Sequence, residues 1–282
     1  MSVKRTSYAV VTLLGLSALL ANPMVAAGAD NASTSPHTIT ANIGVVSNYI
    51  FRGLTQTWDK PALQAGVDYS HADGWYAGIW GSSISDKQFA DGWAEFDLIG
   101  GYNGKFNDDW SWTVGVASAY YPSADYNKAV PPPSANSQSY NNVELNAGIG
   151  YKWVTAKVSM AVTDYFGANQ DSGYKDDTSG TTYWDLTANI PLPEETFTKD
   201  VTIPVHVGRT HYTADTAAGV DPSYTDYKVG ITKLFDGGWN VGVAYTYATN
   251  DTLYDNTVSV KNASDKRDLG GGNVVFNLTK TF

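Results

Sequence analysis

The chain has 282 residues, no cysteine and a formal net charge of −10 at pH 7. This acidity argues against nucleic acid or anionic lipid headgroups as partners, because like charges repel, and the absence of cysteine excludes a disulfide-stabilised scaffold. Aromatic residues are abundant, with 19 Tyr and 9 Trp beside 27 Gly, whereas only 16% of residues are charged. That composition favours an exported sheet protein with aromatic-rich interfaces over a soluble enzyme.

The N-terminal segment has the pattern of a secretory signal peptide. Lys4 and Arg5 precede an apolar run over residues 8–20, and small residues follow at 25–29. A membrane anchor is the alternative, but a spanning helix needs about 20 apolar residues. We therefore predict a signal peptide over 1–29, cleaved after residue 27 or 29. A short N-terminal extension over 30–38 and a single domain over 39–282 follow.

The mature chain divides into twelve segments in which polar and apolar residues alternate, without any lasting helical period. Alternation is typical of strands, and about ten residues let a tilted strand cross a bilayer. The predicted strands are residues 39–51, 62–70, 74–84, 93–104, 110–121, 140–153, 154–166, 182–191, 201–212, 224–235, 239–248 and 273–282.

The connections between these segments alternate between long and short. Those after odd-numbered strands are long, such as 122–139 and 249–272, and those after even-numbered strands are shorter, such as 71–73 and 236–238. Outer-membrane barrels have short periplasmic turns and long outer loops. A soluble sandwich has no reason to separate its loops by length, so the pattern favours a membrane barrel with both termini in the periplasm.

The two faces of each strand also differ. Along 239–248, aromatic and branched apolar residues alternate with Asn240, Gly242, Ala244 and Thr246. A soluble barrel would place many Lys and Glu on its polar face, whereas this face carries mainly small residues. The apolar face is therefore predicted to contact lipid, and the small polar face is predicted to line a narrow lumen.

The last segment, 273–282, ends on Phe282, which is typical of the strand that closes an outer-membrane barrel, although Lys280 departs from the usual apolar pattern. We predict an all-β protein, a closed antiparallel transmembrane β-barrel of about 12 strands whose last strand pairs with its first. The predicted location is the cell outer membrane of a Gram-negative bacterium. The predicted partners are outer-membrane lipid and the barrel-assembly machinery.

Three stretches carry a family resemblance. Residues 44–57 (GVVSNYIFRGLTQT), 61–69 (PALQAGVDY) and 74–82 (GWYAGIWGS) resemble the Gcw_chp family, whose members are described as outer-membrane porins and are also called TorF-like. The resemblance is dense from 44 to 82 and continues more loosely to Phe282. It implies a barrel and a channel, and it names no solute.

Ionisable residues on the polar faces are candidates for the pore lining. Six carboxylates face four fixed cations, which predicts a weak cation preference if the lumen is open. The candidates are Arg52, Asp68, Glu95, Asp97, Glu144, Lys152, Lys157, Asp185, His206, Asp226 and Lys228. Arg52 has two interpretations, a clamp paired with an inward carboxylate or an anion-binding residue at the mouth, and the clamp is favoured.

Twelve strands give a narrow bore, so the predicted function is a porin for small hydrophilic solutes or ions. One alternative is a structural or adhesive barrel with a filled lumen whose outer loops bind a partner. A less favoured alternative is a lipid-modifying enzyme of the outer membrane. His206 and His211 lie five residues apart on one strand and face opposite sides, so they cannot share a metal.

No catalytic motif occurs, and we predict no enzyme, no cofactor and no metal site. Two Asp-rich stretches, 171–177 and 251–255, could hold Ca²⁺ through oxygen ligands or could be solvated loops.

Overall fold

The computed structural model describes residues 35–195 and 197–282. The predicted signal peptide and most of the predicted extension lie outside the described residues. Twelve antiparallel strands close into one barrel, in which chain neighbours pair and the last strand pairs with the first. The predicted closed barrel is therefore confirmed.

The wall strands follow the chain order. They are β1 (His37–Val46), β2 (Ala62–His71), β3 (Trp75–Ser83), β4 (Ala94–Lys105), β5 (Trp110–Tyr120), β6 (Asn142–Tyr151), β7 (Val154–Ala161), β8 (Thr182–Pro191), β9 (Val201–His211), β10 (Tyr224–Phe235), β11 (Trp239–Ala248) and β12 (Asn273–Thr281).

The period-two pattern separates the two faces of the wall as predicted. Large apolar side chains such as Leu145 and Val229 point outward and are about half exposed, while Gly, Ser, Thr and Asn fill the inward positions. Outward aromatics lie near the strand ends, including Trp110 and Trp239 at the first residues of β5 and β11. An apolar band flanked by aromatic rings matches the lipid-facing surface of an outer-membrane barrel.

The connections are sorted by length between the two ends of the barrel. Residues 47–61, 84–93, 121–141, 162–181, 212–223 and 249–272 form the long loops at one end, here called the outer end. Residues 72–74, 106–109, 152–153, 192–200 and 236–238 form the shorter turns at the inner end. β1 begins and β12 ends at the inner end, because the strand number is even.

The first outer loop turns into the barrel. β1 ends at Val46, and the following residues form a small antiparallel hairpin in which Ile50–Phe51 pairs with Leu54–Thr55. We call residues 47–61 the inner hairpin. The predicted first strand, 39–51, was therefore too long at its outer end, since the chain leaves the wall after Val46.

A similar difference occurs at β7, which ends at Ala161 instead of the predicted residue 166. A short 3₁₀ turn over Tyr165–Gly167 follows and brings Phe166 inward, where its ring meets that of Phe51 edge to face at 5.5 Å. Both aromatic rings were predicted in the wall. They pack instead in an apolar cluster inside the outer end of the barrel, together with Val46, Tyr49, Ile50, Ala62 and Val275.

The outer loops contain little further regular structure. Their elements are the 3₁₀ turns Tyr126–Lys128 and Gln170–Ser172, the four-residue helix Asp251–Tyr254 and the short hairpin Thr257–Val258 with Lys266–Arg267. Within residues 35–195 and 197–282, no helix is long and apolar enough to cross a membrane.

The seam that closes the wall is short. β1 pairs with β12 over five residue pairs, from Asn42 with Thr281 to Val46 with Asn277, whereas it pairs with β2 over ten. Backbone hydrogen bonds between Ala41 and Phe282 extend the seam inward. Beyond Val46, the backbone N–H of Ser47 donates to the Phe276 carbonyl at 2.9 Å, and the Ser47 hydroxyl accepts from the Phe276 N–H at 2.9 Å.

Candidate functional site: the barrel interior

The interior has an outer half that is filled and an inner half that solvent reaches. In the outer half, inward side chains all round the wall are buried, including Val46, Ala62, Ser82, Glu95, Asp97, Ala119, Asn142, Glu144, Ser159, Thr210, Tyr224, Asp226, Thr246 and Val275. In the inner half, many inward polar side chains are half-buried, including Asn42, Asp68, Thr113, Asn146, Lys157, Asp185, Thr187, His206, Lys228, Asn240 and Thr279.

The inner hairpin fills much of the outer half. Its turn residues Arg52 and Gly53 both have positive φ, 46° and 78°, as a type I′ turn requires. A Cβ atom at Gly53 would lie 2.6 Å from the Cβ of Asp226 and 2.9 Å from that of Ala248. The tip of the hairpin therefore lies directly against the wall at β10 and β11, and glycine is required there for both conformation and space.

Arg52 fixes the hairpin to the opposite wall. Its guanidinium donates two hydrogen bonds to the Glu144 carboxylate on β6, at 2.8 and 2.7 Å, and a third to the Tyr165 hydroxyl at 2.8 Å. The Tyr183 ring lies under the guanidinium carbon at 4.0 Å. This bidentate ion pair is almost fully buried, an arrangement expected of a clamp, and losing either partner would leave an uncompensated buried charge.

A second charged cluster lies just below the hairpin, on β8, β9 and β10. The His206 ring is placed between two carboxylates, with Nδ1 at 3.0 Å from Asp185 and Nε2 at 2.9 Å from Asp226. Thr187 and Tyr183 complete the contacts, at 2.8 Å from Nδ1 and 3.0 Å from Nε2. Since His206 occupies both carboxylates, it joins three neighbouring strands across the lumen wall.

Lys157 and Lys228 flank this cluster on β7 and β10. Lys157 lies directly across from Asp185 in the sheet register, and Lys228 lies directly across from His206. Both side chains face the interior and are half-buried. In the part of the chain that the structure describes, neither ammonium group makes a hydrogen bond or a direct ion pair, so the nearby carboxylates act on them only through space.

The remaining acidic candidates lie on the opposite side of the ring of strands. Glu95 and Asp97 are inward neighbours on β4, and both are buried beside Tyr49 of the inner hairpin and Tyr121. Asp68, on β2, lies in the inner half and is half-buried. The interior thus has carboxylates on β2 and β4 facing a wall at β7–β10 that carries most of the cations.

Lys152 lies apart from the other ten candidates. It is in the tight turn between β6 and β7, has a φ of 51°, and its Nζ is 3.8 Å from Asp109 in the neighbouring turn. The strand alternation that suggested an inward direction ends at Tyr151, because the chain reverses there. Lys152 is therefore at the inner rim and not on the lumen wall.

The outer loops pack together above the inner hairpin. Lys87 forms an ion pair with Asp265, which also accepts a hydrogen bond from the Trp58 indole at 3.2 Å. Lys261 donates to Asp91 at 3.0 Å. The hydrogen bonds from Lys87 and Lys261 lower the pKa of Asp265 and of Asp91, respectively. Loops 84–93 and 249–272 are thereby joined across the mouth.

Sequence reasoning missed the inner hairpin, which decides how much of the lumen is open. The local signal is the Arg52–Gly53 pair, where glycine permits the tight turn, followed by the turn-rich stretch before Pro61. Among the described residues, no group of three or more His, Cys, Asp or Glu is arranged to hold a metal ion.

Three solved structures resemble this chain, and the first of them supports the fold. The solved structure of the NanC porin aligns with a TM-score of 0.50 at 12% identity, covering 87% of this chain and 99% of that one. The KdgM porin in complex with disordered oligogalacturonate gives a TM-score of 0.47 at 10% identity, covering 86% and 97%. OprD from Pseudomonas aeruginosa gives 0.38 at 12% identity, covering 89% and 67%.

At the level of sequence, a family model described as "Bacterial protein of unknown function (Gcw_chp)" matches residues 30–282. Among curated proteins, none is detectably similar in sequence.

Proposed function

This chain belongs to the Gcw_chp family of bacterial proteins of unknown function, and we propose that it is an outer-membrane channel for small hydrophilic solutes or ions. In this proposal the inner hairpin is a gate that closes the outer half of the lumen. Export by a signal peptide over residues 1–29 and insertion by the barrel-assembly machinery are part of the same proposal.

The observation that carries the proposal is the charged inner half of the lumen. Lys157, Lys228 and Asp68 face the interior, are half-buried and make no direct ion pair among the described residues. Charges beside a low-dielectric wall must be paired or hydrated. Since these three have no direct partner among the described residues, their charged forms depend on water in the lumen, and a barrel that only supports loops needs no charged interior.

The gate follows from how the inner hairpin is held. Its apolar residues Tyr49, Ile50 and Phe51 bury against the wall, and Arg52 at its turn is held by Glu144 and the Tyr165 hydroxyl. Backbone hydrogen bonds from Thr55 to Leu269 and from Ser85 to Gln56 join the hairpin to two other outer loops. None of these contacts is covalent, so opening would move the hairpin and its neighbouring loops while the wall remains intact.

A weak cation preference of the open state follows from the charges of the outer half. Glu95, Asp97 and Glu144 belong to the wall, whereas Arg52, the partner of Glu144, belongs to the hairpin. When the hairpin leaves, these three carboxylates would remain around the mouth. Rings of carboxylates favour cations in channels.

The decisive experiment is single-channel recording in planar bilayers, comparing the wild type with Arg52→Gln. Removing Arg52 leaves Glu144 buried without its partner, a change that costs about 3–5 kcal/mol. We expect the variant to spend more time in a conducting state and to prefer K⁺ over Cl⁻. Arg209→Gln is the matched control, because Arg209 is exposed on the outward face of β9 and its side chain donates to Thr225 on the neighbouring strand, away from the hairpin.

Absence of conductance from both wild type and Arg52→Gln, with both proteins folded by heat-modified gel mobility, would reject the channel. That result would support the second candidate, a structural or adhesive barrel whose outer loops bind a partner. One observation favours this candidate: the outer half is packed and the loops join above it. Equal conductance of wild type and Arg52→Gln would reject the gate and leave the channel standing.

A further inference from the structure

We propose that Lys157 and Lys228 form a binding subsite in the inner half of the lumen for the oxyanion group, carboxylate or phosphate, of a small solute. This inference rests on the proposed channel function and narrows it, because it names the chemical class of the solute. The subsite lies on the wall formed by β7, β8, β9 and β10.

The sheet register brings the two lysines to one patch of wall. Lys157 on β7 is opposite Asp185 on β8, and Lys228 on β10 is opposite His206 on β9. Only two strands separate the lysines, and both strands contribute inward residues of the same cluster. A ligand bridging the pair would therefore lie over Asp185 and His206.

The carboxylates in this patch are already occupied. Asp185 Oδ2 lies 3.0 Å from His206 Nδ1, and Asp226 Oδ1 lies 2.9 Å from His206 Nε2. An imidazole ring that meets a carboxylate at each nitrogen has the geometry of the doubly protonated form, which donates at both. With His206 protonated, the patch carries three positive charges and two negative ones, so one positive charge is uncompensated.

Both lysines keep part of their surface exposed to the lumen. Both are half-buried, and within residues 35–195 and 197–282 neither has a direct partner. Gly148 lies directly across from Lys157 on β6, and Gly230 is the next inward residue after Lys228 on β10. Neither glycine adds an inward side chain of its own beside the lysines.

Compact ammonium groups bind oxyanions as point charges. A half-buried ammonium group without a protein partner gains most from an anion that can displace its few water molecules. The pattern therefore differs from Lys87 or Lys261 in the outer loops, each of which already has a carboxylate partner. An oxyanion subsite in the inner half does not conflict with a weak cation preference of the channel, because that preference arises from the outer half of the lumen.

The test is equilibrium binding to the purified, folded barrel in detergent, measured by isothermal titration calorimetry. The probes are succinate, inorganic phosphate and uncharged succinamide. We expect succinate or phosphate to bind and succinamide not to bind. Lys157→Gln and Lys228→Gln should each weaken binding at least tenfold, and Lys157→Arg should retain it. Lys152→Gln is the matched control, since that lysine is outside the lumen.

The outcomes separate this inference from the channel. Binding by succinate alone assigns a carboxylate solute, and binding by phosphate alone assigns a phosphate ester. If neither anion binds the wild type, or if both glutamine variants bind as tightly as Lys152→Gln, the subsite is wrong whether or not the barrel conducts. If anions bind as expected and no conductance is found, the subsite is supported and the channel is rejected.

Discussion

The outer and inner halves of the lumen share one wall, yet they differ in what their inward residues do. In the outer half, inward side chains such as Asn142 and Val275 are buried, and Val275 packs against the inner hairpin. In the inner half, residues on the same strand faces, such as Asn146 and Thr279, remain half-buried. The same strands thus line a packed core at one end and a more accessible lumen at the other, and the difference is made by the loops that turn inward at the outer end.

The largest expected effect is the difference in stability between two variants that each place a lysine on the same face of β12, one in the outer half of the lumen and one in the inner half. Val275→Lys would bury an ammonium group in the apolar cluster around Tyr49 and Phe51. A buried, unpaired charge costs about 3–5 kcal/mol. Thr279→Lys, on the same face of β12 but in the inner half, should be tolerated. Urea titration of the purified barrels measures both, and equal losses in stability would mean that the two halves are not distinct.

A smaller difference is expected between an arginine on the lipid-facing side of the wall and one on its lumen-facing side. Leu145 is outward on β6 and half exposed, and its neighbour Asn146 is inward. Leu145→Arg should cost about 2–4 kcal/mol near the bilayer midplane. Asn146→Arg, at the same depth, should cost much less. Folding yield into lipid vesicles reports both variants; if Asn146→Arg inserted less well than Leu145→Arg, the assignment of faces would be reversed.

The close approach of the hairpin tip predicts a third, moderate effect. Gly53 and Gly237 have almost the same φ, 78° and 77°, but Gly237 has no atom within 4 Å of an added Cβ, whereas Gly53 would meet Asp226 and Ala248. Gly237→Ala should cost about 1–2 kcal/mol for the backbone alone. Gly53→Ala should add the cost of displacing the hairpin and should expose loop 47–61 to protease. Matching melting temperatures and digestion patterns would show that the tip is not held against the wall.

The smallest effect concerns the outer loops and pH. The pKa of Asp91 and that of Asp265 are lowered by hydrogen bonds from Lys261 and Lys87. A carboxylate whose pKa is lowered on folding contributes stability above its unfolded pKa of about 4, and this contribution is lost as the pH falls through the lowered value. As the pH falls below about 4, loops 84–93 and 249–272 should therefore separate, and their amides should lose protection against deuterium exchange after correction for the intrinsic exchange rate at each pH. Protection of these loops that is unchanged between pH 6 and pH 2 would contradict this.

The sequence alone was enough to predict the wall. Alternation with period two defines each strand and its faces, and the sorted loop lengths define the two ends, because both signals are local. The pairing of the last strand with the first also followed, since an even number of strands of this type must close to satisfy its edges.

The contents of the lumen were harder to predict. The alternation of β1 breaks after Val45, and Arg52–Gly53 favours a tight turn, but these local signals do not tell whether the chain stays in the wall or turns inward. The contact of Arg52 with Glu144 joins residues 92 positions apart and depends on the register of the whole wall. The prediction that Lys152 lines the lumen was wrong because the alternation suggested an inward side chain, whereas the chain had already begun to turn.

The short seam between β1 and β12 has a consequence for the dynamics of the wall. Five residue pairs join these strands, against ten between β1 and β2, and at the outer end the Ser47 hydroxyl replaces one of the two backbone hydrogen bonds with Phe276. Local opening occurs where the fewest hydrogen bonds must break together. In deuterium exchange, the amides of β1 and β12 that face each other should exchange before those of any other strand pair. The wall would then open first between its first and last strands.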